Sequence, residues 1–212
     1  MTHRNTLARL AAAPLALLAL GACTSSFTGP VEVTRFVAEN PVGLGEGPIV
    51  VYFPDEMSNQ NAKAAFKAAV ENELRGLGYS IVAQEGRGIQ VAAVRTSRNP
   101  IQGASDRSRG PVSVGVGGST GSYGSGVGLG VGINLGGGQS GPAAISELSV
   151  RITAASGDTL WEGRSQIATS VNSPYSDVDA SARALAAGLF RDFPGGNGET
   201  VSLTVEELER TP

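Results

Sequence analysis

One thiol, Cys23, and one imidazole, His3, are all the cysteine and histidine chemistry in this 212-residue chain. That excludes a disulfide framework and a Cys- or His-rich zinc centre at once. Two letter patterns suggest more than they carry. Gly117-Gly118-Ser119-Thr120-Gly121 spells G-x-S-x-G. A nucleophilic serine there needs a strand-to-helix turn, a histidine base and an acid to orient it, and no helical pattern follows Gly121. Gly136 to Gly141 spells G-x-G-x-x-G, yet the next residues lead toward a strand and not toward the helix whose N-terminus would face a pyrophosphate. With Lys63 and Lys67 the sole lysines, no phosphate loop of the G-K-[ST] kind exists. Asp177 and Asp179 could hold a hard cation, but acids at a helix start are sufficiently explained by the helix dipole. Glu71 and Glu73, two apart on a helix, point to different faces and make no acid/base pair. The sequence therefore predicts no catalytic residue, no metal site and no cofactor. Trp161 reads as a core anchor.

Cys23 is explained by what precedes it. Residues 1–22 carry Arg4 and Arg9, then an uncharged apolar stretch from Leu10 to Leu20. The stretch is too short to span a bilayer, which takes about 20 residues, and fits a secretory signal. Leu20-Gly21-Ala22-Cys23 resembles the bacterial lipobox, in which cleavage leaves an acylated cysteine as the first mature residue. The site expectation is lipidation at Cys23, with two or three acyl chains giving a stable anchor where one would be marginal. Thr24 in place of Asp favours outer-membrane sorting by the same resemblance. Removing residues 1–22 takes away His3, Arg4 and Arg9, so the mature chain has no histidine and is more acidic than the −3 of the whole sequence. Such a balance argues against nucleic acid as a partner.

The elements that must present this anchor come next. Residues 23–30 read as a polar tether and residues 31–205 as one α+β domain, with 206–212 as a tail. Residues 31–37 and 47–53 are expected strands, the second an apolar run suited to a buried position. Residues 59–77 form the clearest helix: Ala62, Phe66, Val70, Leu74 and Leu77 mark one face, Asn59 caps the start and Gly78 the end. Short strands at 79–83 and 89–94 follow, so a strand–helix–strand unit is possible. Residues 148–152 and 160–167 form a hairpin around Gly157-Asp158. Residues 176–193 form the second helix, with Ser176 and Asp179 as its capping pair and Pro194 as its stop. Residues 201–205 are either a last strand or an unpaired tail.

Residues 100–142 depart from globular composition. Between Gly110 and Gly141, fourteen of 32 positions are Gly. Apolar residues nevertheless alternate: Val112, Val114 and Val116, then Val127, Leu129, Val131 and Ile133. A Gly-rich β-hairpin insertion explains this period of two better than a random linker. It carries no charge between Val112 and Gly141, so the usual guards against edge pairing are missing. Self-association, or an envelope protein partner, through this segment is expected.

Several features in combination resemble a known family. These are the lipobox, the helix exit Arg75-Gly76-Leu77-Gly78-Tyr79, the strand Gly157-Asp158-Thr159-Leu160-Trp161-Glu162-Gly163, and the closing Leu189-Phe190-Arg191-Asp192-Phe193-Pro194. From Val31 to Pro194 the chain is similar to the proteobacterial envelope lipoproteins catalogued as domain-of-unknown-function family 4136. The resemblance implies an envelope location and transfers no activity. The fold expected is two-layer α+β, a mixed and mostly antiparallel sheet with two helices on one face. The function expected is a lipid-anchored, periplasm-facing, non-catalytic binding or assembly module, with a carboxylate-only envelope hydrolase as the alternative.

Overall fold

The computed structural model describes residues 26–101 and 142–210. The expected lipobox, the two glycine letter motifs and the expected Gly-rich hairpin therefore lie outside the described residues. What remains is the expected α+β architecture: a seven-stranded mixed sheet with two long helices against one face and a short third helix.

Strand β1 (Thr28–Val37) is followed by β2 (Gly47–Tyr52), helix α1 (Gln60–Gly76), β3 (Tyr79–Val82) and β4 (Gln90–Pro100). Then come β5 (Ala144–Thr153), β6 (Thr159–Thr169), α2 (Val178–Phe190), β7 (Thr200–Leu203) and α3 (Val205–Glu209). Their order across the sheet is β3-β2-β4-β5-β6-β1-β7. β2 is parallel to both β3 and β4, and all other pairs are antiparallel. The βαβ unit β2–α1–β3 is thus present, and the third parallel strand, β4, adds on the far side of β2.

Alternation decides the layers. In β5, Leu148, Val150 and Ile152 are buried beneath the helices. The opposite face pairs Arg151 with Glu162 at 3.2 Å and Arg164 with Glu147 at 3.4 Å, a solvent-side ladder worth little in stability. Asn59 Oδ1 accepts from the Ala62 N–H at 3.1 Å and starts α1, whose Phe66, Ala69, Val70 and Leu74 enter the core. After Leu77 the chain reverses at Gly78, where φ is +108° and a side chain would be strained.

Four expectations need correction. Domain structure begins before residue 31, because Thr28 pairs with Thr169 and the Phe27 N–H reaches Ser170 Oγ at 2.9 Å. The tether is shorter by that much. The α2 cap is Asp177, not Ser176 with Asp179: its Oδ1 accepts from the Ala180 N–H at 3.0 Å. Ser176 instead ends a 3-10 turn, Pro174–Ser176. α2 stops at Phe190 and not at Phe193, because Arg35 from β1 donates Nε to the Leu189 carbonyl (2.9 Å) and Nη2 to that of Gly188 (2.8 Å). Those acceptors are then satisfied without another helical turn, and a guanidinium suits the negative end of the dipole. Finally, the expected tail is helical as far as Glu209, while residues 200–203 take the strand option left open above. Thr204 and Glu207 form a capping box that opens α3, and Val205 is buried.

Candidate functional site

Trp161, Phe190, Phe193 and Pro194 meet at one end of the sheet and build structure. Trp161, fully buried, stacks on Phe190 at 5.5 Å between ring centroids and contacts Phe193 at 5.2 Å. Its indole Nε1–H donates to the Pro194 carbonyl at 2.9 Å. Gly163, two residues on along β6, leaves the room the indole occupies. Arg35 closes the same end. Burial lowers its pKa, and the nearby Asp192 charge partly offsets this. Trp161 is the core anchor the sequence suggested.

The opposite end is different. Thr28, Thr169, Ala144 and Pro100 fall in one cross-strand row, so the start of β1, the ends of β6 and β4 and the start of β5 converge there. The Ile101 N–H donates to the Ala143 carbonyl at 2.8 Å, closing the stem from which the Gly-rich insertion departs. The N-termini of α1 and α2 come to this end, and between them and the sheet lies a cleft of about 390 Å³. That is within the range of small-molecule sites. Met57, Ala62, Phe66 and Val178 give it an apolar wall. Thr96, Ser97 and Arg98 from β4 line the other side, and Glu56 is the single carboxylate in the lining.

Two side chains in this lining are unusual. Ser146 of β5 is 3% exposed and Ser181 of α2 is 2% exposed, and neither hydroxyl has a hydrogen-bond partner among the described residues. A buried hydroxyl without a partner is costly and uncommon. Arg98 is held beside them by a 2.8 Å bond from Nη1 to the Ser176 carbonyl. Thr96 Oγ1 reaches Met57 Sδ at 3.8 Å, which ties the loop after β2 to β4.

The carboxylates weighed in the sequence do not assemble. Glu71 bridges Lys67 (3.7 Å) and Arg75 (2.9 Å) along α1. Glu73 is half-buried, and desolvation raises its pKa without bringing a second acid near. Asp177 is used as a cap. Among the described residues no group of three metal-ligating side chains forms. Ser146 and Ser181 were missed by sequence reasoning. Their signal was present: Ser146 sits on the inward period of β5, and Ser181 is four residues before Leu185 on the buried stripe of α2.

No protein-family model matches the chain, and no curated protein matches it by sequence. Among solved structures it is similar to a PDZ domain protein from Parabacteroides distasonis, with 14% identity and a TM-score of 0.48. That match covers 84% of this chain, which spans 38% of the length of the other. It is also similar to the PelC dodecamer from Paraburkholderia phytofirmans in two crystal forms, with 10% and 13% identity and TM-scores of 0.36 and 0.39. Each covers 74% of this chain and 92% or 93% of PelC. At this degree of likeness the functional reading rests on the chain's own residues.

Proposed function

We propose that this chain is a bacterial envelope lipoprotein, acylated at Cys23, anchored in the outer membrane and facing the periplasm. Its α+β domain then serves as a non-catalytic binding or assembly module. The observation that carries the reading is the run Leu20-Gly21-Ala22-Cys23 placed directly before the first residues held by the fold. Four residues from Cys23 to Phe27 reach at most about 14 Å when extended. The row containing Thr28 is therefore the membrane-proximal end, and the cleft lies toward that end. The resemblance to envelope lipoproteins supports the same location.

The preference for binding over hydrolysis draws on the cleft. A hydrolase using carboxylates alone needs two acids flanking the scissile bond. Among the described residues, Glu56 is the one carboxylate in the lining, beside an apolar wall. A protein partner, or a second copy, is assigned to the Gly-rich insertion. Its stem is closed at Ile101 and Ala143, so replacing residues 113–135 by a short Gly-Ser linker should leave the fold intact and change the assembly state. An unchanged assembly state would remove this assignment.

The anchor is tested by fractionation. Cys23→Ser should move the protein from the detergent fraction to the soluble periplasm, and separating inner from outer membranes locates the acylated form. A Cys23→Ser protein that stays on the membrane would overturn the reading.

A further inference from the structure

The two ends of the sheet differ in charge. Where β1 begins, the outermost backbone bonds run from the Ile101 N–H to the Ala143 carbonyl, from the Ala143 N–H to the Thr169 carbonyl and from the Ser170 N–H to the Phe27 carbonyl. The Ser173 hydroxyl, 2.6 Å from that of Thr28, brings the following turn to the same place. Residues 26–30, 99–101, 142–146 and 168–176 make up this end, and their sequence holds no charged side chain. Val171, Pro100 and Pro174 are exposed there, and Phe27, Ile101 and Ala143 are half-buried. On the strands, charge begins at Arg98, Glu147 and Glu32, each at least three residues back from this edge. The loops of the opposite end, by contrast, carry Glu39, Glu46, Asp158 and Asp192.

An uncharged end with exposed apolar side chains suits contact with lipid, because a charge is costly to desolvate while valine and proline gain by leaving water. The anchor puts that end where the contact forms. From Cys23 to Phe27 the chain reaches at most about 14 Å. The headgroup layer itself is about 5–7 Å thick on each side of the bilayer. An acylated Cys23 therefore leaves the end little room to stand clear of the lipid.

We infer that this end of the sheet rests on the bilayer as a second, non-covalent contact, with Val171 entering the headgroup layer. The strands then rise from the membrane. The 11 residues of β6, at about 3.3 Å each, hold the opposite end roughly 35 Å further out. This inference rests on the anchored reading above. The insertion also leaves from this end, between Ile101 and Pro142, and is the competing cover.

The test uses the acylated full-length protein reconstituted in phosphatidylcholine vesicles. Acylation occupies the sulfur of Cys23, the lone native thiol, so Val171→Cys and Val42→Cys each provide a single site for an environment-sensitive fluorophore. The two valines are both 75% exposed and lie at opposite ends, which makes Val42 the matched control. Changes at such surface positions spare the fold, and emission from Trp161 checks this. The expected result is a blue-shifted probe at position 171 that loses emission when the vesicles contain nitroxide-labelled lipid, with neither effect at position 42. Quenching at 171 without a blue shift means an end that is tethered and does not touch, and it overturns the inference. So does a blue-shifted probe at 171 that nitroxide lipid leaves unquenched, which means that the insertion or a second copy covers the site. Equal quenching at the two positions overturns it as well. Flotation of the same samples separates the two readings. A protein that does not float with the vesicles overturns the anchor and this inference together, whereas a floating protein with an unquenched probe at 171 overturns this inference alone.

Discussion

Gly163→Ala should destabilise the domain although alanine is the better strand residue. A Cβ built at Gly163 lies 2.3 Å from Trp161 Cη2, 2.8 Å from Trp161 Cζ2 and 2.8 Å from Leu189 Cδ1. None of these atoms can withdraw cheaply. Trp161 is fully buried and held between Phe190, Phe193 and the Pro194 carbonyl, and Leu189 is fully buried in α2. Overpacking of one methyl group into such a site costs about 1–3 kcal/mol. If the indole tilts to make room, its N–H loses Pro194 and a further ~1–3 kcal/mol follows from the unpaired donor. Against this stands a gain of about 0.5–1 kcal/mol from replacing glycine within a strand. With the indole displaced, the net expectation is a loss of about 1–5 kcal/mol by those magnitudes. The chain has one tryptophan, so urea denaturation followed by its emission reads the affected residue itself. The midpoint should fall, and the native emission should shift as the indole moves. A variant as stable as the parent, or more stable, would refute the claim that the bare face of Gly163 is what seats Trp161.

Other outcomes follow from the same structure. Arg35→Met removes both donors from the Gly188 and Leu189 carbonyls and should cost about 1–3 kcal/mol, measured by thermal melting; an unchanged melting temperature would remove the capping role. Leu185→Ala should cost about 2–5 kcal/mol, and more than Phe66→Ala, because Leu185 is fully enclosed while Phe66 borders the cleft. Denaturation of the two variants in parallel checks the order, and a larger loss at Phe66 would contradict it. The Tyr175 phenol donates to the Glu209 carboxylate; this bond first, then burial and the charges of Glu209 and Glu206, push its pKa up to about 12. The folded state thus holds the proton more tightly than the unfolded chain does, so this contribution is intact below about pH 10 and lost as the pH rises toward 12. Absorbance titration of the parent against Tyr175→Phe isolates that tyrosine, and ionisation near pH 10 would count against the bond.

The local signals in the sequence were enough for the two long helices, the β5–β6 hairpin and the α+β class. Each depends on periodicity, caps and turn residues within a dozen positions, as with Asn59 at α1 and Gly157 between β5 and β6. The capping box at Thr204 and Glu207 was equally local and was passed over, which turned α3 into a tail. The run Leu20-Gly21-Ala22-Cys23, which resembles a lipobox, is a pure sequence signal and owes nothing to folding. What no local pattern could supply was the strand order β3-β2-β4-β5-β6-β1-β7, and everything that depends on it. Arg35 reads as an ordinary strand charge until β1 is laid beside α2, 154 residues away, where its guanidinium ends the helix. Ser146 and Ser181 read as small polar residues until β5 and α2 close over them and bury their hydroxyls in residues that border one cleft. Backbone pairing and burial across such separations are decided by how the whole core packs, because each long-range contact must outweigh its own loop-closure entropy and compete with every other arrangement of the same apolar faces.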